Sequence, residues 1–247
     1  MEVKALGVGF IDCFEGMEEA FNRWYDTDHL PEHISLPAAA GGRRYVATPD
    51  CKALRQPARM EELADGKGTF CTTYLFGTED TEAITGPSRE LDTGLAKQRR
   101  IFREGKVAHY AMWRLAKADV RGGTVSRQAI PYLGHRGMYV ALAEVPDPKM
   151  RSEVAEWFDE VHVPDLLSVQ GVKAVLRCTL LSQDNDGRFL HILLLDEDPP
   201  MAIRALRRSV ETWRAQGRVP SPGQAIKPLF SSAYRLITPL SYDFIEG

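Results

Sequence analysis

Two histidines, His29 and His162, stand at the same place in two similar segments, WYDTDHLPEHISL (24–36) and WFDEVHVPDLLSV (157–169). Imidazole is the side chain that titrates near neutrality unaided, so each is a candidate general acid or base. A histidine at a helix end also serves as a C-cap, meeting free carbonyls and the helix dipole, and that alternative stands beside the first. Asp28 precedes His29 and falls at helical spacing on the stripe Met17, Phe21, Trp24. A carboxylate on such a face needs a partner or water, so Asp28 is expected to orient His29, to act beside it, or to lie in solvent past the last turn. In the second segment Val161 and Leu166 replace Asp28 and His33, which makes the first half the expected active cleft.

His191 interrupts the apolar run FLHILLL, where a buried imidazole must satisfy both ring nitrogens. It is expected to pair with His162 in a second cleft or to bond a backbone carbonyl as a core histidine. Tyr74, alternating with Phe70 and Thr72, offers a phenolic donor to a substrate oxygen or simply packs. Arg44 and Arg177, equivalently placed in the two halves, offer planar forks for a carboxylate or phenolate, with surface ion pairing the commoner fate of such side chains. Trp24, Tyr25, Tyr45 and Phe158 supply aromatic walls for a substrate. His29 and His33 are four apart, as helical metal ligands are, but Pro31 between them is expected to break the helix, so no metal site is expected. No G-x-G-x-x-G follows a strand and neither G-x-x-x-x-G-K-[ST] nor G-x-S-x-G occurs, so no cofactor is expected.

The two segments belong to a longer internal repeat. They align without a gap at an offset of 133, with identities at Trp24/Trp157, Asp26/Asp159, His29/His162, Pro31/Pro164 and Ser35/Ser168. The same offset pairs Met17 with Met150 and Arg44 with Arg177. Each half reads as strand, helix, strand, strand, helix, strand. ALGVGFIDC and MYVALAEV open the halves as β-rich runs, and Met17, Phe21, Trp24 and Met150, Val154, Trp157 follow at helical spacing. Second strands are expected at 43–47 and 172–181, third strands at 69–76 and 188–195, and fourth strands at 107–115 and 228–237. Helices near 81–104 and 200–216 precede the fourth strands. This is an α+β plan of two ferredoxin-like βαββαβ repeats, 1–116 and 138–247, joined by a linker at 117–137. An extra stretch in the first half, about 47–67, is rich in Pro, Gly and charge and reads as a surface loop. A sheet covered by helices on one face leaves the other to be buried, and the second copy is its natural partner, so the two sheets are expected to close into an intramolecular barrel.

The W-[YF]-D-x-x-H-x-P-[ED] segments at 24–32 and 157–165 resemble those of the dimeric α/β barrel superfamily, and within it the EthD-like branch, whose members often carry a tryptophan and an H-x-P at the end of the first helix. The resemblance implies a cleft between sheet and helices beside His29 or His162. It also implies a range of chemistries, from lactone isomerases, polyketide cyclases and aldoxime dehydratases to cofactor-free monooxygenases and haem-using chlorite dismutases.

Composition limits the partners. Lys and Arg number 31 against 34 Asp and Glu, so no basic field favours nucleic acid or an anionic membrane. No long apolar run or leader pattern is present, and a cytoplasmic protein is expected. The four cysteines, at 13, 51, 71 and 178, form no C-x-x-C pair and read as small hydrophobes. The sequence therefore leads us to expect a cofactor-independent lyase or isomerase acting on a small hydrophobic, aromatic intermediate, as a monomeric pseudo-dimer or a homodimer. A cofactor-independent oxygenase and a non-catalytic small-molecule-binding barrel are the alternatives.

Overall fold

The structure, a computed structural model, describes residues 1–181, 187–219 and 225–245. In chain order the first half holds β1 (Ala5–Cys13), α1 (Glu18–Trp24), a π-helical turn (Tyr25–His29), α2 (Leu30–Ile34), β2 (Ala39–Val46), α3 (Pro49–Lys52), β3 (Phe70–Phe76), α4 (Thr81–Lys97) and β4 (Gly105–Val120). A short β5 (Gly123–Thr124) follows. The second half holds β6 (Gly137–Glu144), α5 (Arg151–Trp157), a second π-helical turn (Phe158–His162), α6 (Val163–Ser168), β7 (Val172–Leu180), β8 (Arg188–Leu195), α7 (Pro199–Ala215) and β9 (Lys227–Leu236). The expected order of elements is present in both halves.

Every strand pairing is antiparallel. Following the ladders gives the order β1-β3-β2-β9-β6-β8-β7-β4, and β4 returns to pair with β1. The sheet thus closes on itself, which removes its long free edges. The two seams between the halves are unequal. β4 and β7 are matched from Trp113↔Leu180 to Val120↔Ala174, whereas β2 and β9 meet only at Tyr45↔Leu236 and Val46↔Arg235. The longer seam uses residues expected in the linker, because β4 runs on through Val120 before turning into β5.

Strand alternation assigns the two faces. Leu6, Val8 and Phe10 of β1, Met138, Val140 and Leu142 of β6, and Trp113 and Leu115 of β4 share one buried core drawn from both halves, the filling of the barrel. Gly7, Gly9 and Ile11 face the other way, toward the helices. The stretch at 47–67 is not the free surface loop expected of it. Cys51 and Leu63 are buried in the common core, the Arg59 N–H donates to the Leu229 carbonyl at 2.8 Å, and Arg55 Nε donates to Ser232 Oγ at 2.7 Å. It is a strap that docks on the second half. The last two positions of the expected second repeat lie outside the described residues.

Trp113 is the bulkiest of the fully enclosed side chains and belongs to the strand that joins the halves. Trp113→Ala should cost about 3–5 kcal/mol, the range for truncating a core aromatic. Urea unfolding would show it as a lower midpoint with the slope unchanged.

Candidate functional site

Proline shapes the segment that carries His29. Pro31 has no N–H to offer the carbonyl four residues back, so the helix widens rather than stops: the Leu30 N–H reaches the Tyr25 carbonyl, five residues away. Pro164 has the same effect in the second half, where the Val163 N–H reaches the Phe158 carbonyl. The expectation that Pro31 breaks the helix is therefore corrected. α1, the π turn and α2 run on as one rod, and His29 and His33 stay on one face with ring centroids 4.1 Å apart. The His33 Nδ1–H donates to the His29 carbonyl at 2.8 Å, which leaves Nε2 facing the Asp92 carboxylate of α4 at 3.3 Å. Burial alone would lower the His33 pKa, but the Asp92 carboxylate and the His29 carbonyl outweigh it and the net shift is upward.

His29 lies on the Trp24 indole at 4.7 Å, and the indole N–H is itself anchored to the Arg100 carbonyl at 2.7 Å. The arrangement recurs in the second half, with His162 on Trp157 at 4.6 Å and the Trp157 N–H on the Arg218 carbonyl at 3.0 Å. His29 Nδ1 is buried without a hydrogen-bond partner. Burial, reinforced by the nearby His33, pulls the His29 pKa down to about 4, so the ring is neutral near pH 7.

These groups line a cleft of about 400 Å³ between the first-half sheet and its helices. Trp24, Tyr25, His29 and Tyr74 are brought together there, as are His33 and Asp92. The Tyr25 and Tyr74 hydroxyls share a hydrogen bond at 3.1 Å, and burial raises the pKa of both, so both remain protonated. Tyr110, not foreseen from the sequence, lies across the sheet. A Cβ at Gly7 would sit 2.3 Å from its hydroxyl oxygen, and one at Gly9 would sit 3.3 Å from its ring. The alternating glycines of β1 were the available signal, since glycine within a strand often marks a close approach.

Three of the residues expected at the site in the first half lie elsewhere. Asp28 makes no side-chain hydrogen bond to His29 among the described residues. Both its oxygens are held by Arg100, at 2.9 and 3.0 Å, because the π turn rotates it off the Trp24 face. Arg44 is no ligand fork. Its guanidinium is enclosed over the Tyr25 ring at 4.3 Å and donates to Asp26 Oδ1 at 2.5 Å and to the Asn22 carbonyl at 3.2 Å. Tyr45 fills the barrel core, and its hydroxyl donates to His135 Nε2 at 2.9 Å.

A second cleft, of about 520 Å³, occupies the same position in the second half and contains Phe158, His162 and His191. Among the described residues the two histidines do not pair, and His191 bonds no carbonyl. Each packs on the Phe158 ring, at 5.5 and 4.4 Å, and His191 Nε2 is buried without a partner. Arg177 is turned away, donating to Asp159 at 2.9 Å and to the Ala155 carbonyl at 3.1 Å. The strap closes this cleft through Gln56, Pro57, Ala58 and Arg59.

No family model and no curated protein matches the sequence. Solved structures do match along nearly the whole chain. A candidate monooxygenase from Fusobacterium nucleatum is 11% identical with a TM-score of 0.55, covering 96% of this chain and 94% of its own. A candidate chlorite dismutase is 14% identical with a TM-score of 0.56, covering 97% and 96%. A variant of DypB from Rhodococcus jostii in complex with haem is 8% identical with a TM-score of 0.59, covering 97% and 94%. The fold is that of the dimeric α/β barrels. These neighbours overturn the expected lyase or isomerase, because they carry the names of a monooxygenase, a chlorite dismutase and a haem protein. No helix among the described residues is long and apolar enough to cross a membrane.

Haem fits neither cleft well. An iron-binding imidazole is normally held by a hydrogen bond from its other nitrogen and aims the free one at an open slot, and the two propionates call for cations. His33 is the cleft imidazole held that way, and its free nitrogen faces Asp92. Among the described residues Arg89 is the one cationic side chain lining the first cleft and is already paired with Glu82, while the second cleft offers Arg59 alone.

Two measurements test this account. Asp26 and Arg44 are each 2% exposed, so Asp26→Asn should cost about 3–5 kcal/mol, the penalty for leaving a buried charge unpaired. Asp159→Asn, at a partly open pair, should cost about 1 kcal/mol or less in the same urea titration. Burial also lowers His162 to about 4 and His191 to about 3. The unfolded chain binds these protons near pH 6.5 and the fold does not, so stability is full above that pH and falls as pH drops toward 4. The urea midpoint at pH 5 should lie below that at pH 7.5, and His191→Leu should reduce the difference.

Proposed function

We propose that the chain is an oxygenase without an organic cofactor, acting on a small, largely apolar aromatic molecule in the first cleft. The observation that carries the proposal is the meeting, beside an aromatic wall, of a protonated tyrosine pair with the neutral imidazole of His29, which lines the same cleft. A phenolic or enolisable ring entering beside Trp24 and Tyr110 would place its oxygen on the Tyr25–Tyr74 pair. Those hydroxyls would stabilise charge developing on that oxygen as His29 accepts a proton from the adjacent carbon. The electron-rich anion so formed reduces dioxygen itself. An activated methylene becomes a carbonyl, one oxygen atom enters the product, the other leaves as water, and the substrate supplies all four electrons.

The repeated W-[YF]-D-x-x-H-x-P segment supports placing the chain near the EthD-like branch. It also supports descent of the two halves from one βαββαβ unit, corresponding to 1–116 and 138–247. The first half is the better candidate for the reaction because the tyrosine pair has no counterpart in the second cleft, where Phe158 stands for Tyr25.

Oxygen uptake with a panel of polycyclic phenols bearing an activated methylene tests the proposal, with one carbonyl product expected per dioxygen consumed. Tyr74→Phe should lower kcat about 100-fold, the usual effect of removing one oxyanion donor. His29→Ala should lower it by a similar or larger factor. Turnover that continues under anaerobic conditions would rule the oxygenase out.

A further inference from the structure

We infer that the first cleft binds one divalent transition-metal ion through His29, His33 and Asp92. Among the described residues this is the one group of three potential ligands whose donor atoms all lie within 4.8 Å of one another. A His33–Asp92 ion pair alone does not account for the arrangement. It leaves His29 packed at 4.1 Å against a second imidazole, with a buried nitrogen that nothing satisfies. A cation held among the three side chains gives that cluster a common partner.

Two further features match what a metal requires. Ligating histidines are normally oriented by donating their other ring N–H to a carbonyl or carboxylate, and the His33 Nδ1–H does so to the His29 carbonyl. The histidines come from the continuous rod and the aspartate from α4, so the donors approach from two elements. Two imidazoles and one carboxylate with positions left open form a set suited to divalent ions of the iron-to-zinc range.

The second half lacks the set. At the offset of 133 Leu166 stands for His33, and with Asp80 and Asp198, the residues that precede α4 and α7, aligned, Val210 stands for Asp92. One ion per chain is therefore expected, not two. Ion binding does not depend on the oxygenase reading. If both hold, the ion takes over from His29 the task of favouring the deprotonated substrate, and a redox-active ion adds a route for electrons to dioxygen.

The test is titration of chelator-stripped full-length protein with Co(II), read by visible absorption and calorimetry. Saturation at one ion per chain is expected, with an absorption spectrum indicating nitrogen and oxygen ligands. Asp92→Asn changes a half-exposed side chain and His33→Gln keeps a polar group; each should weaken binding at least tenfold, since loss of even an outer-shell partner costs 10–100-fold. His162→Ala in the other cleft should leave the stoichiometry at one. The inference is overturned if no saturable binding occurs, or if Asp92→Asn and His33→Gln, shown folded by circular dichroism, both bind as the parent does. Oxygen uptake by the same samples separates the two proposals. Binding without uptake retains the ion and removes the oxygenase, while uptake by stripped protein that binds no Co(II) does the reverse.

Discussion

The buried pair Arg44–Asp26 holds the first half together. Two charges removed from water must be matched completely, and here the matching draws in three distant segments. Arg44 comes from β2, Asp26 from the π turn, and the remaining Asp26 oxygen accepts from the Leu240 N–H at 3.1 Å and the Tyr242 hydroxyl at 2.9 Å. The guanidinium in turn lies over Tyr25, whose hydroxyl reaches Tyr74 in the cleft. Displacing the carboxylate would therefore disturb the helix, strand β2, the segment at 240–242 and the tyrosine pair together. The corresponding Arg177–Asp159 pair is shared with Lys117 and stands partly open to solvent, so the second half rests on a looser version of the same tie.

Much of the architecture could be read from the repeat. A motif such as WYDTDHLP matched by WFDEVHVP fixes equivalent positions before any element is assigned, and strand alternation then separates the barrel face from the cleft face. Closure was also foreseeable, because a sheet with helices on one side needs a partner on the other. The reach of each seam was not. β4 extends into the expected linker since its far end finds backbone donors and acceptors on β7, a long-range pairing without a local sequence signal.

The site was less legible, mostly for one reason. A helical wheel assumes a constant 3.6 residues per turn, which puts Asp28 on the face of Phe21 and Trp24. The π turn adds one residue, and everything beyond it advances by about one position around the axis. Asp28 swings to Arg100, while Tyr25 and His29 take the cleft face. Pro31 was the visible cause, but a proline in a helical segment reads as a stop rather than a widened turn. Arg44 and Arg177 were correctly recognised as equivalent, yet their carboxylate partners lay within the motif itself rather than on a substrate.

The segment at 240–242 that reaches Asp26 has a consequence for assembly. Asp26 and Tyr242 are 216 residues apart, and ribosomal synthesis proceeds from the N-terminus. The first-half helix leaves the ribosome early with an acceptor that stays unmatched until residues 240–242 have followed. The second half can close over the strap while it is being made, since 47–67 already exists when β9 emerges. The tie behind the helix that carries Tyr25 and His29 is thus closed only by a segment encoded after β9, so the half made first waits for residues that follow the whole of the second-half sheet.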